Sequence, residues 1–120
     1  MNKVYVGMSA DILHQGHINI LSLAKTKGYV IVGLLTDEAI SSYKNPPLLP
    51  YSEREKMLKN LKLVDEIVSQ DTLDYVDNLT QIKPDYVVHG DDWKSGIQKT
   101  QREKIIQFLQ ENNGTLVEIP

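Results

Sequence analysis

The stretch Ser9-Ala10-Asp11-Ile12-Leu13-His14-Gln15-Gly16-His17 sets two imidazoles three positions apart with a glycine between them. Residues at i and i+3 share one side of a helix. Gly16 has no side chain, so a phosphate can come close to the backbone. A helix opening here adds free amide donors and roughly half a positive charge at its N-terminus. The combination is an anion site with two imidazole donors, suited to a phosphorus that gains negative charge while it is attacked. A His-x-x-His pair alone is more often two capping or surface side chains, and for a metal there is no third His or Cys nearby. The surrounding pattern favours the anion site: a buried strand, a short turn, His-x-Gly-His and an amphipathic helix all fall within the first 28 residues.

Those residues need a frame, and the periodicity supplies one. Apolar runs and helical stripes alternate along the chain, the pattern of an α/β protein. Val4–Met8 is a first buried strand. Gly16–Lys27 is a helix with Ile18, Ile20, Leu21, Leu23 and Ala24 on its stripe, stopped by Gly28. Tyr29–Leu35 is an unbroken apolar run, as expected of a strand covered on both faces. Residues 36–50 are polar and carry Pro46, Pro47 and Pro50. Ser52 with Glu55 reads as a capping box opening a helix through Met57, Leu58 and Leu61. Strands follow at Glu66–Ser69, Asp85–Val88 and Leu116–Ile119, with helices at Leu73–Ile82 and Ile97–Asn112.

Right-handed crossovers between such units give an open, doubly wound, Rossmann-like sheet of five parallel strands. Its ligand crevice lies beyond the carboxyl ends of the strands, where strand order reverses. That points to the turns after Met8, Leu35 and Val88. The last of these reads Gly90-Asp91-Asp92-Trp93.

The totals narrow the function. At 120 residues the chain is one domain, residues 1–120, large enough for a core. It has no cysteine, which removes disulfide scaffolds and thiolate metal sites. A net charge of −3, with 13 basic and 16 acidic residues interspersed, offers no basic stripe for nucleic acid. Neither a secretory leader nor the ~18-residue apolar run of a membrane span is seen. A soluble, cytoplasmic domain is expected.

His-x-Gly-His after the first strand resembles the HxGH nucleotidyltransferases. Asp11, Thr36-Asp37-Glu38, Lys44, Arg54, Val64-Asp65-Glu66 and Gly90-Asp91-Asp92-Trp93 fall in the order and spacing of the cytidylyltransferases, among them the glycerol-3-phosphate and phosphocholine enzymes. VYVGMSADILHQGH, GLLTDEAISSYK and KPDYVVHGDDWKSG are more similar still to the cytidylyltransferase domain fused to phosphoenolpyruvate mutase in phosphonate pathways.

The resemblance implies transfer of a cytidylyl group from CTP to a small phosphonate or phosphate acceptor, with pyrophosphate released, Mg²⁺ accompanying the nucleotide, and a homodimer. It implies catalytic roles for His14, His17 and Lys44, and nucleotide contacts from Ser9, Ala10, Asp11, Gly16, Lys62, Gly90 and Asp92. Asp11 would also organise the Mg²⁺ end of the site. Lys62 stands where the family often has Arg, keeping charge without bidentate geometry. Arg54 is assigned either an acidic partner or substrate, Trp93 a place in the core, and His89 a structural role.

Two departures from the pattern bear on the acceptor and the nucleotide. Asn45-Pro46-Pro47 replaces a second lysine of the glycerol-3-phosphate enzyme. The family's Arg-Thr-x-Gly-Ile-Ser-Thr stretch would begin where the sequence reads Val117-Glu118-Ile119-Pro120, as in the core of a longer chain. The alternatives are transfer to glycerol 3-phosphate and a catalytically impaired nucleotide-binding or dimerisation module. Adenylylation of a phosphopantetheine-like acceptor is opposed by Gly90–Trp93, and a class I aminoacyl-tRNA synthetase by the lack of room for its second lysine motif.

Overall fold

The computed structural model describes residues 1–93 and 98–120. Five strands, β1 (Lys3–Met8), β2 (Tyr29–Leu35), β3 (Glu66–Gln70), β4 (Tyr86–Gly90) and β5 (Thr115–Ile119), form one sheet in the order β3-β2-β1-β4-β5. Every pairing is parallel. The helices are α1 (Gln15–Lys27), α2 (Asp37–Ser41), α3 (Tyr51–Lys59), α4 (Val76–Ile82) and α5 (Lys99–Glu111), with a 3₁₀ turn at Asp91–Trp93. The fold is the doubly wound, Rossmann-like α/β sheet read from the sequence.

Side-chain alternation along the strands sorts the core into two layers. Val4, Val6 and Met8, with Val30, Val32, Leu34 and Val88, pack under Leu21 and Ala24 of α1 and Leu58 of α3. Tyr5, Ile31 and Val87 face the other way, against Leu79 of α4, Trp93, and Ile105 and Leu109 of α5. Gly33 follows from this second layer: a Cβ there would collide with the buried Tyr5 hydroxyl, which donates to Gln70 Oε1 at 2.5 Å and accepts from Asn78.

Strand order reverses between β1 and β4, and the pairing there is short. Only Val4↔Tyr86 and Tyr5↔Val87 are in register, whereas β1 and β2 pair over six positions to Met8↔Leu34. Past Tyr5 and Val87 the two central strands part. The crevice required at the switch point is the gap they leave.

Three sequence expectations are corrected. Ser52 and Glu55 form no capping box: α3 starts at Tyr51 behind Pro50, with no side-chain cap, and Glu55 turns instead to Lys59 at 3.6 Å. The carbonyl of Pro50 accepts from Glu53 and Arg54, and Arg54 Nε reaches back to Leu49 O at 2.9 Å, so the turn closes earlier than Ser52. The polar stretch after β2 contains a short helix, α2, capped by Thr36 through Ala39 N. Helix α4 begins at Val76 rather than Leu73, because Asp74 and Thr72 fold the entry into a side-chain-bonded turn. The predicted helix start at Ile97 lies outside the described residues.

Arg54 is fully buried, unlike any other charged side chain among the described residues. Its Nη1 donates to Ser9 O and Leu35 O, both at 2.7 Å, Nε to Leu49 O, and Nη2 to Asp37 Oδ1 at 2.6 Å. The guanidinium thus ties together the carboxyl ends of β1 and β2, the start of α2 and the entry to α3. Removing it would leave three carbonyls without this donor in a partly buried site, a loss of about 3–5 kcal/mol at ~1–3 kcal/mol for each buried group left unsatisfied. Arg54→Leu and Arg54→Lys should each lower the thermal midpoint by roughly 10–20 °C in circular dichroism. Lysine's single ammonium cannot reproduce the planar fork.

Candidate active site

A cleft of about 440 Å³ opens where β1 and β4 part. Ser9, His14, Gly16 and His17 of the first turn, with Lys44 after α2, form one wall; His89, Gly90, Asp91 and Asp92 form the other; Tyr75 and Gly7 lie in its floor. Residues from both sides of the strand-order reversal therefore face one space.

The two motif histidines are held by their own backbone. Gly16 N–H donates to His14 Nδ1 at 3.0 Å, and His14 N–H donates to His17 Nδ1 at 3.2 Å. This is a reciprocal N-terminal cap built from imidazoles. It fixes the chemistry, because a ring nitrogen that accepts an amide proton carries none itself. In the neutral ring the proton then sits on Nε2. Both imidazoles are set as Nε2–H donors, their rings 4.2 Å apart between centroids. Gly16 is small for a reason the sequence did not reveal: a Cβ there would lie 2.8 Å from His14 Cε1. Its amide is spent on His14 rather than left open for an anion, so the glycine serves the cap.

His17 is partly buried and its pKa is lowered, first by that burial, then by the neighbouring His14 and Lys44 charges. On the opposite wall, His89 stacks on the buried Trp93 with centroids 3.6 Å apart and planes 5° from parallel. Its Nδ1 lies 2.8 Å from Gly90 O, an acceptor, so Nδ1 bears the proton and neutral His89 offers Nε2 as a lone pair. Burial holds its pKa below the usual range despite the Gly90 carbonyl and the nearby Asp92 and Glu118. Trp93 is anchored by Nε1–H to Glu118 Oε2 at 2.6 Å, and Arg102 grips the same carboxylate through two nitrogens.

Most expected site residues come together. His14, His17, Lys44, Ser9, Gly16, Gly90 and Asp92 all line the cleft. Ala10, Asp11 and Lys62 do not. Ala10 is buried and left-handed, φ 51°, behind the turn. Asp11 faces away from the cleft, its Oδ2 accepting from Leu48 N and its Oδ1 from Leu49 N, both at 2.9 Å. These bonds hold its pKa low and engage both carboxylate oxygens with backbone amides. Lys62 is exposed between α3 and β3, at the amino ends of the strands, because α3 runs back against the sheet. Among the described residues no group of three His, Cys, Asp or Glu side chains is placed to hold a metal.

Sequence reasoning assigned no ligand-facing role to His89, Tyr43, Tyr75, Asn19 or Gln98, all of which line the cleft. A polar residue ending β4 was a usable signal for His89, since the crevice rule already marked that strand end. Nothing local marks the others, whose placement depends on packing. Trp93 is in the core, 2% exposed, and Arg54 takes the acidic partner Asp37.

Residues 5–115 match the family described as cytidylyltransferase-like. The chain belongs to that family. Ethanolamine-phosphate cytidylyltransferase of Arabidopsis thaliana is 38% identical over 96 residues, a match taking in 75% of this chain and 23% of the plant protein. FAD synthase of Thermococcus onnurineus is 35% identical over 105 residues, covering 84% of this chain and 69% of that one. Among solved structures, the lipopolysaccharide core biosynthesis protein of Thermoplasma volcanium superposes over the whole chain and 97% of its own, with a TM-score of 0.83 at 24% identity, a likeness of fold. This cytidylyltransferase-like chain thus spans under a quarter of the length of its plant relative. Among its described residues no helix is long and apolar enough to cross a membrane.

The two lowered histidines lead to a test. A folded-state pKa below the unfolded value near 6.5 means the native state favours the neutral ring. Stability from His17 and His89 is therefore complete above about pH 6.5 and is lost as pH falls from there through their folded pKa values. Histidine NMR titration should place both midpoints below about 6.5, with denaturant stability declining over the same acidic window. Midpoints at or above 6.5 for both would contradict the burial seen here.

Proposed function

We propose that the protein is a nucleotidyltransferase that moves a cytidylyl group from CTP to a small acceptor bearing a phosphate or phosphonate. The observation that carries this reading is the pair of preset Nε2–H donors on one wall of the cleft, with Lys44 beside them. An acceptor oxygen attacks the α-phosphorus in line, the new P–O bond forms as the bond to the leaving pyrophosphate breaks, and negative charge spreads over the phosphoryl oxygens. His14 and His17 stabilise that charge without reorganising, since their protons already sit on the correct nitrogens. Lys44 supplies a compact positive charge to the phosphates.

Mg²⁺ fits as the nucleotide's own counter-ion, because that ion is commonly held by substrate phosphates and one or two carboxylates. Bound there it would neutralise phosphate charge. Asp91 and Asp92 are the carboxylates on the cleft; Asp11 is committed elsewhere.

The opposite wall favours an acceptor with a hydrogen-bond donor at its far end. His89 Nε2 and the Asp91 and Asp92 carboxylates are acceptors, so an ammonium or hydroxyl suits them. Ethanolamine phosphate, named in a relative, and 2-aminoethylphosphonate, the acceptor type implied by sequence resemblance, both carry an amine. Glycerol 3-phosphate is the comparison without one. The FAD synthase relatives make ATP the second nucleotide to assay.

Pyrophosphate release should appear with CTP and an amine-bearing acceptor. His14→Ala or His17→Ala should lower its rate by about 10²–10³ while changing CTP affinity far less. Equal losses in rate and affinity would remove the transition-state role, and CTP binding without turnover under any acceptor would favour a binding module.

We also infer a homodimer. Ile12 and Leu48, 60% and 75% exposed, lie on two segments that the Asp11–Leu48 hydrogen bond joins, which leaves apolar surface for a second copy. Sedimentation at micromolar protein should show dimer; monomer alone would sink this.

A further inference from the structure

The segment that carries Lys44 is fastened at two points. At its start, Lys44 N–H bonds Ile40 O in the last turn of α2. At its end, the Asp11 carboxylate takes the amides of Leu48 and Leu49, one on each oxygen. The Leu49 peptide is gripped from its other side as well, its carbonyl accepting from Arg54 Nε at 2.9 Å. Between these fastenings lie Asn45, Pro46 and Pro47, all without a side-chain hydrogen bond among those seen. The segment is exposed and has no strand or helix of its own from Lys44 to Pro50. Its position therefore depends on the two ends.

Asp11 can reach Leu48 and Leu49 because of the turn before it. Ala10 sits at φ 51°, a left-handed conformation costly for a residue with a Cβ. That turn sends the Ser9 carbonyl to Arg54 and the Asp11 side chain to the strap, on opposite sides of one residue. The strained residue, the buried guanidinium and the carboxylate are one circuit closing on the Leu49 peptide.

We propose that Asp11 is a positioning residue that sets nucleotide affinity through Lys44, by pinning the 44–49 strap against the first turn, and that it touches neither nucleotide nor metal. The proposal rests on the reading of Lys44 as a phosphate contact. It differs from a metal-binding aspartate in what it couples to. Asp11 and Lys44 should behave as one unit, since loss of the anchor and loss of the charge remove the same contact.

The test is a double-mutant cycle on the nucleotide KM in the pyrophosphate-release assay, with amide hydrogen exchange beside it. Lys44→Ala and Asp11→Ala should each raise KM roughly fivefold or more, the double variant no more than Lys44→Ala alone, as expected for coupled sites. Asp11→Asn keeps one carbonyl acceptor and should recover part of the loss. In the Asp11 variants, exchange at Leu48 and Leu49 should quicken while β1 and β2 amides stay protected, a readout needing no activity. An Asp11→Ala loss that adds in full to that of Lys44→Ala overturns the proposal and leaves the phosphate reading of Lys44 intact. So does an Asp11→Ala loss that is restored by raising Mg²⁺, or unchanged exchange at Leu48 and Leu49. If Lys44→Ala leaves KM unaltered, the phosphate reading fails and this route falls with it, although the exchange data still report the clamp.

Discussion

A single buried guanidinium decides where the active end of this sheet can be. Arg54 reaches four acceptors, Asp37 Oδ1 and the main-chain carbonyls of Ser9, Leu35 and Leu49. Burying a charge this way is costly unless every donor is used and the partners have no alternative. Here the cost is offset because the carbonyls of Ser9, Leu35 and Leu49 take up its donors at the point where strands turn into loops. The geometry of the first turn, and so of the histidines that follow it, is inherited from that arrangement. Ala10 tolerates its left-handed backbone only because its neighbours are held on both sides.

The histidine pair shows how a short motif can set its own tautomers. Two backbone amides choose the tautomer for both rings before any ligand arrives, and partial burial with neighbouring charge keeps His17 neutral further into acid than a free imidazole. His89, facing them, is fixed in the opposite sense by a carbonyl. The cleft therefore presents donors on one lip and an imidazole lone pair with two carboxylates on the other. Polar asymmetry of that kind orients an elongated ligand whose ends differ in charge.

Much of this was legible in the sequence, for identifiable reasons. Strands covered on both faces show as continuous apolar runs, so β1, β2 and the core of β4 were readable from their Val, Ile, Leu, Tyr and Met residues. The topology followed from handedness, and the crevice from strand order. His14, His17, Lys44 and Asp92 sit at strand ends that these rules pick out. What stayed hidden was set by tertiary bonding. Asp11 lies inside the motif and resembles a metal ligand on paper, yet two amides 37 and 38 positions away claim it. Ser52 and Glu55 match a capping pattern that Arg54 overrides by closing the turn earlier. Lys62 has the right charge but emerges at the wrong end of the sheet, a fact that depends on the direction of α3.

The two-position ladder between β1 and β4 also makes the sheet mechanically unequal. One plate holds β3, β2 and β1, the other β4 and β5, each laced over five or six residue pairs, and they meet along a short seam at the end remote from the cleft. Helix α1 lies across that seam, its Leu21 and Ala24 packed in one cluster with Val4 and Val88. The same helix begins with the two histidines. Any widening or narrowing of the seam must therefore be felt as a tilt of α1, and the donor pair is carried with it. The domain is built like tweezers in which the pivot and one of the tips belong to a single rigid rod.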